Sequence, residues 1–144
     1  MYKLYKYISF ILVITIIVSC SAPQPSIEDI TGVWESIEGA RFKFDKNGEV
    51  DVKDYPLYLS NTTFEGKYNG LGTWSISDDK VGSLFWEIEI TSESVKKTTL
   101  INNGLAIKLL VSRSGLGGSN SKITTLFVWK GDPDEDDRYE FKKQ

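Results

Sequence analysis

From Thr31 to Phe141 apolar and polar residues alternate with a period of two, the spacing of a strand with one wet face, and not with the 3.6 of a helix. Thr31–Ile37 is a first strand candidate. Arg41–Phe44 alternates charge with aromatic, so Phe42 and Phe44 share a face. Asp45-Lys46-Asn47-Gly48 predicts a hairpin turn, since Asn-Gly tolerates the positive φ such turns demand. Val50 and Val52 then mark the return strand, and Tyr55–Lys67, with Pro56, reads as a long loop or short helix. Tyr68–Ser77 follows as a strand with Trp74 and Ile76 on one face. Gly70 and Gly72 share that face, which predicts a bend or close packing by another group. Asp78-Asp79-Lys80 reads as a turn. Leu84, Trp86, Ile88 and Ile90 alternate with Phe85, Glu87 and Glu89 in the clearest half-buried strand. Ser94–Leu100, Leu105–Val111, Ile123–Trp129 and Arg138–Phe141 complete the strands, with turns at Asn102-Asn103-Gly104 and a Gly- and Ser-rich loop over 112–121.

This makes an all-β domain of about eight or nine strands without a convincing amphipathic helix. One open sheet of that size would leave a face and two edges exposed. Closure into a single antiparallel up-and-down barrel, or into a sandwich, buries a face and removes or shortens the edges.

The first twenty residues follow a different pattern. Lys3 and Lys6 precede Ile8–Val18, eleven residues without a charge. A helix of that length spans roughly 17 Å, about half of a bilayer's hydrocarbon core, which suits an export signal better than a stable span. Ile17-Val18-Ser19-Cys20 resembles the lipobox of bacterial lipoproteins. The resemblance implies cleavage between Ser19 and Cys20 and diacylglycerol on the Cys20 thiol, with further acylation of the new amine. Residues 1–19 are then a signal peptide, 20–29 a lipidated cysteine with a flexible Pro- and Ser-containing tether, and 30–144 the β domain. A plain membrane anchor or an ordinary secretory signal fits less well, because the run is short and Cys20 is the only cysteine. Ser21 beside the cysteine, with no acidic cluster after it, resembles outer-membrane sorting and a periplasm-facing site in the cell envelope.

Composition narrows the chemistry. All twenty Asp and Glu lie beyond Cys20, as do all but two of the seventeen Lys and Arg, so the mature part carries a net charge of −5. That balance argues against nucleic acid and suits a basic protein partner. With one cysteine there is no intrachain disulfide, and stability rests on packing. No histidine is present, which excludes Ser-His-Asp and Cys-His catalysis and His-ligated zinc. Carboxylate, Lys or Tyr chemistry is all that remains, so the expectation is a non-enzyme without a cofactor.

Two short motifs carry a further resemblance. Gly32-Val33-Trp34 in the first strand and Gly72-Thr73-Trp74-Ser75-Ile76 in mid-domain look like the lipocalins and the small lipocalin-like lipoproteins of Bacteroidetes. The resemblance implies that Trp34 plugs the closed end of a barrel, that a late basic residue, Arg138 by position, packs on it, and that the interior holds a small hydrophobic ligand. The chain departs from the lipocalin pattern in its shortness and in lacking a C-terminal helix.

The candidate residues carry alternative readings. Trp34, Phe42, Phe44, Trp74 and Trp86 face inward, as packed core or as the lining of a ligand pocket. Asp132, Asp134 and Asp136 have the spacing that opens a calcium loop, but Asp137 replaces its Gly and Lys143 its final Glu, so a solvated acidic turn is the plainer reading. Glu87 and Glu89 form a carboxylate pair on the solvent face. Gly115, Gly117 and Gly118 do not match a phosphate loop. Two functions stand: a membrane-anchored binding barrel for a small hydrophobic molecule, or an envelope interaction or immunity-type lipoprotein with a filled core.

Overall fold

The computed structural model describes residues 23–81, 85–92, 105–114 and 121–144. A single helical turn, α1 (Ile27–Ile30), leads into eight strands: β1 (Gly32–Ser36), β2 (Arg41–Phe44), β3 (Glu49–Pro56), β4 (Lys67–Val81), β5 (Phe85–Ser92), β6 (Leu105–Arg113), β7 (Ile123–Trp129) and β8 (Arg138–Lys143). Each strand pairs antiparallel with its neighbour in sequence, and β8 pairs back onto β1. The result is a closed up-and-down barrel, the all-β fold the alternation predicts.

Local chemistry sets the connections. The β2–β3 loop closes with Gly48 at φ +86°, while Asn47 keeps an ordinary φ, so this is a three-residue loop with glycine in the left-handed position. Asp78-Asp79-Lys80 is not a turn. β4 runs through it to Val81, and the register slips between Ile76 and Lys80, so the polar triplet is absorbed as a bulge rather than a reversal. A second slip lies in β3 between Val52 and Tyr55, where Asp54 adopts φ +52° and its N–H donates to the Asn69 side chain at 3.0 Å. Tyr55 and Pro56 belong to β3, and the predicted loop shortens to a 3₁₀ turn at Leu57–Leu59 and the residues up to Gly66.

The segment read as a tether is ordered from Pro23 onward. Ser26 caps α1 reciprocally with Asp29, and Pro25 and Ile30 are buried. Gln24 donates to the Ser77 carbonyl at 3.2 Å, and Arg113 donates to that of Pro23 at 3.1 Å. Among the described residues no helix is long and apolar enough to cross a membrane. The signal, Ser19, Cys20, Leu84, the Ser94–Leu100 strand, the Asn102–Gly104 turn and Gly115, Gly117 and Gly118 lie outside the described residues.

Pairing defines two ends. One holds α1, the β2–β3 loop, the last residues of β4, β6 and β8 and the first of β5 and β7; this is the closed end. The opposite end carries the β1–β2, β3–β4 and β7–β8 connections.

Candidate functional site

The inward aromatics meet inside the barrel. Phe42 sits 5.7 Å from Phe44, 5.7 Å from Tyr55 and 4.8 Å from Phe141, centroid to centroid, and Phe44 lies 5.3 Å from Trp74. Trp34, Phe42 and Phe44 expose 0 % of their surface, either to bulk water or to an internal void. No space for even one water molecule touches them, so these three are packing rather than the wall of an open pocket. Trp74 is buried and ties β4 to the β2–β3 loop, its indole N–H donating to the Asp45 carbonyl at 3.0 Å. Trp86 is half-buried against the core near the closed end, with Lys80 Nζ 5.2 Å above its ring.

Trp34 stops the closed end. Its indole N–H donates to the Ile30 carbonyl at 2.7 Å, joining β1 to α1. The cation over this ring belongs to Lys143 and not, as the lipocalin resemblance implies, to Arg138. Lys143 Nζ lies 5.5 Å above the ring and donates to the Asp29 carbonyl at 2.8 Å. Arg138 begins β8 at the far end of the barrel and faces outward, so it cannot reach Trp34. Its guanidinium instead stacks at 4.6 Å over Phe127 and 4.8 Å over Trp129. With Phe85, these rings form a small cluster on the outer wall that leaves Phe127 fully buried. Sequence reasoning missed it. The signal was present: Leu109-Leu110 and Leu126-Phe127-Val128-Trp129 are unbroken apolar runs, which mark strands covered on both faces.

Towards the open end the interior becomes polar but self-satisfied. The Tyr139 and Ser36 hydroxyls lie 3.1 Å apart, Tyr68 shares a hydrogen bond with Ser92, and Ser60 donates to Tyr55 at 3.4 Å. Burial pushes the Tyr55 phenol up to about 12, and burial also raises Tyr139, against a lowering by the Ser36 hydrogen bond. Both are neutral hydrogen-bonding groups at ordinary pH.

Glu87 and Glu89 share the outer face, as expected, but Glu87 is only 7 % exposed. Lys108 bridges the pair, at 2.8 Å from Glu87 and 3.3 Å from Glu89, and these hydrogen bonds, that to Glu87 foremost, raise the lysine's pKa. The one cation held between the two carboxylates offsets half of their charge and engages both of them. In the acidic turn, the Asp132 carboxylate accepts from the Asp134 N–H at 3.0 Å, and Asp136, at φ +53°, pairs with Arg138 at 2.6 Å. The Asp132 carboxylate thus braces the turn and that of Asp136 is held by Arg138, and among the described residues no three ligands gather as a metal site.

A groove of ≈ 520 Å³ runs along the β1–β8 seam. It exists because β1 ends at Ser36, opposite Phe141, while β8 continues to Arg138. Gln144 N–H donates to the Val33 carbonyl at 2.9 Å, so the even-numbered residues of β8 face β1. Above Phe141, Glu140 and Arg138 therefore turn their backbone groups to a neighbour that has already left the sheet. Glu35, Glu38, Glu140 and Lys142 line the groove, and fully exposed Ile37 stands at its rim. Lys130 and Arg138 are paired with Asp137 and Asp136, which among the described residues leaves Glu35, Glu38 and Glu140 facing Lys142 alone, and the groove keeps a small surplus of negative charge. No family model, curated protein or solved structure matches this chain.

Proposed function

We propose that the protein is a lipid-anchored component of the bacterial cell envelope that acts by binding a basic protein partner on the outside of a filled barrel. The observation that carries this reading is the interior. Trp34, Phe42 and Phe44, the side chains a carrier would use to line its cavity, have no accessible surface at all. A ligand there would have to displace rings in mutual contact, at a cost of several kcal/mol for each cavity-sized rearrangement. The groove on the β1–β8 seam supplies the alternative: an exposed apolar anchor, Ile37, beside carboxylates that outnumber the one unpaired cation among the described residues there, Lys142. Such a combination favours a partner with a basic patch, with charge steering the encounter and a buried apolar side chain slowing release. The anchor itself rests on the Ile17-Val18-Ser19-Cys20 sequence.

The test places a photo-crosslinking amino acid at position 37 and, as a control, at exposed Leu71 on the opposite wall, in the lipidated protein in its native envelope. A discrete adduct with a protein of net positive charge is expected from position 37, absent from position 71 and weakened by raised salt. Equal adducts from both positions, or native mass spectra of the purified lipoprotein that retain a stoichiometric apolar small molecule, would overturn the proposal.

A further inference from the structure

We infer that the closed end of the barrel rests on the bilayer surface and that the acidic, open end points away from it. The inference rests on the lipid-anchor reading of Cys20 and goes beyond it, since an anchor by itself leaves orientation free.

Only Ser21 and Ala22 separate Cys20 from Pro23, so the three steps between them span at most about 11 Å when fully extended. The headgroup layer that the acylated cysteine must cross is itself about 5–8 Å deep. Little slack remains above it. Pro23 is not loose at the other end of that span: its carbonyl accepts from Arg113 at the end of β6, and Gln24 is held by Ser77 in β4. Both contacts lie at the closed end, and the chain continues into α1 and the Trp34 plug. The barrel is therefore drawn to the membrane by this end, with no tether long enough to let it turn over.

Charge points the same way. Among the described side chains the closed end is close to balanced, with Lys43, Lys46, Lys80, Arg113, Lys122 and Lys143 against Glu28, Asp29, Asp45, Glu49 and Asp78. Among the described residues the open end is acidic, because Glu38, Asp54, Glu65 and the carboxylates from Asp132 to Asp137 outnumber Arg41, Lys53, Lys67, Lys130 and Arg138. An anionic surface repels the acidic end within a Debye length and is indifferent to the other. Ile27 and Val81, two of the exposed large apolar side chains, lie at the closed end and meet the headgroup layer in this orientation. The seam groove and Ile37 are then presented to the aqueous compartment, where a partner can approach.

Nitroxide labels on single cysteines read the orientation directly. Val81→Cys, Leu71→Cys and Ile37→Cys place one label at the closed end, one on the wall and one at the open end, each at an exposed position. The full lipidated variants are reconstituted in vesicles of phosphatidylethanolamine and phosphatidylglycerol, and relaxation by a water-soluble nickel chelate is measured. Severalfold shielding at position 81, with positions 71 and 37 both open to the chelate, is the expected result. Shielding at 71 instead, or equal exposure of all three, overturns the orientation while leaving the anchor intact. Intact mass of the purified protein separates the two failures: a mature chain without lipid on Cys20 removes the anchor and the orientation together.

Discussion

Gly72 shows what a single position in this barrel must satisfy. A methyl group there would stand 2.6 Å from the Thr91 carbonyl oxygen, and that atom belongs to the neighbouring strand and cannot swing aside. Gly72→Ala is expected to cost about 2–3 kcal/mol through forced backbone displacement. Gly131→Ala, where a methyl meets nothing within 4 Å, should stay within about 0.5 kcal/mol, and paired urea denaturation curves read the difference. Tyr55 sets a pH dependence. Its phenol titrates at its ordinary value of 10.0 when unfolded and at about 12 when folded, because burial disfavours the phenolate. Its contribution is fully present below the unfolded value and is lost as pH rises between the two, since the unfolded chain gives up the proton first. Thermal midpoints followed through that window should fall less steeply for Tyr55→Phe than for the parent. That glycines face the barrel at 70 and 72 was visible in the alternation of β4; that Thr91 is what crowds Gly72 was not, because it comes from a strand paired only in the folded state.

At the scale of elements, β8 illustrates how pairing outweighs pattern. Its Arg138-Tyr139-Glu140-Phe141 alternation announces a strand with Tyr139 and Phe141 inward, and both are buried. Nothing in that alternation shows that its partner β1 ends early and leaves the upper half of one edge open. Hydrogen exchange should resolve the two halves. The amides of Arg138 and Glu140, turned towards the missing β1 residues, are expected to exchange rapidly, while that of Tyr139, turned towards β7, is protected. Equal protection along the strand would contradict the groove's origin. β4 makes the opposite point. Asp78-Asp79-Lys80 has the composition of a turn, yet pairing with β5 resumes beyond it at Lys80, and the ladder carries the polar triplet through as a bulge. α1 is four residues long, too short for any periodicity to announce, and it exists because Ser26 and Asp29 cap each other and Ile30 is buried.

For the molecule as a whole, closure and the complete burial of Trp34, Phe42 and Phe44 are the consequential properties. Closure pairs every strand on both sides along at least part of its length and removes the long edges that would recruit other chains. Burial of these rings has a thermodynamic signature. A ligand bound to the folded state at 100 times its dissociation constant adds about 2.7 kcal/mol of stability and raises the unfolding midpoint. Long-chain fatty acids and planar polyenes in large excess should leave the midpoint of this barrel unmoved, as read by scanning calorimetry. A saturable rise would return the interior to the role of a binding site.

The amino-acid order alone determined the architecture's class, the faces of most strands and the chemistry the protein lacks. Period-two alternation is a local property, and an absent histidine stays absent in any fold. Tertiary structure decided the rest: that Lys143 rather than Arg138 covers Trp34, that Phe127 is buried on the outer wall, that Trp34, Phe42 and Phe44 are fully buried, and that a groove opens where β1 stops short. Each of these depends on which residues meet across strands distant in sequence, and those meetings are fixed by register and closure, which alternation along a single strand does not encode.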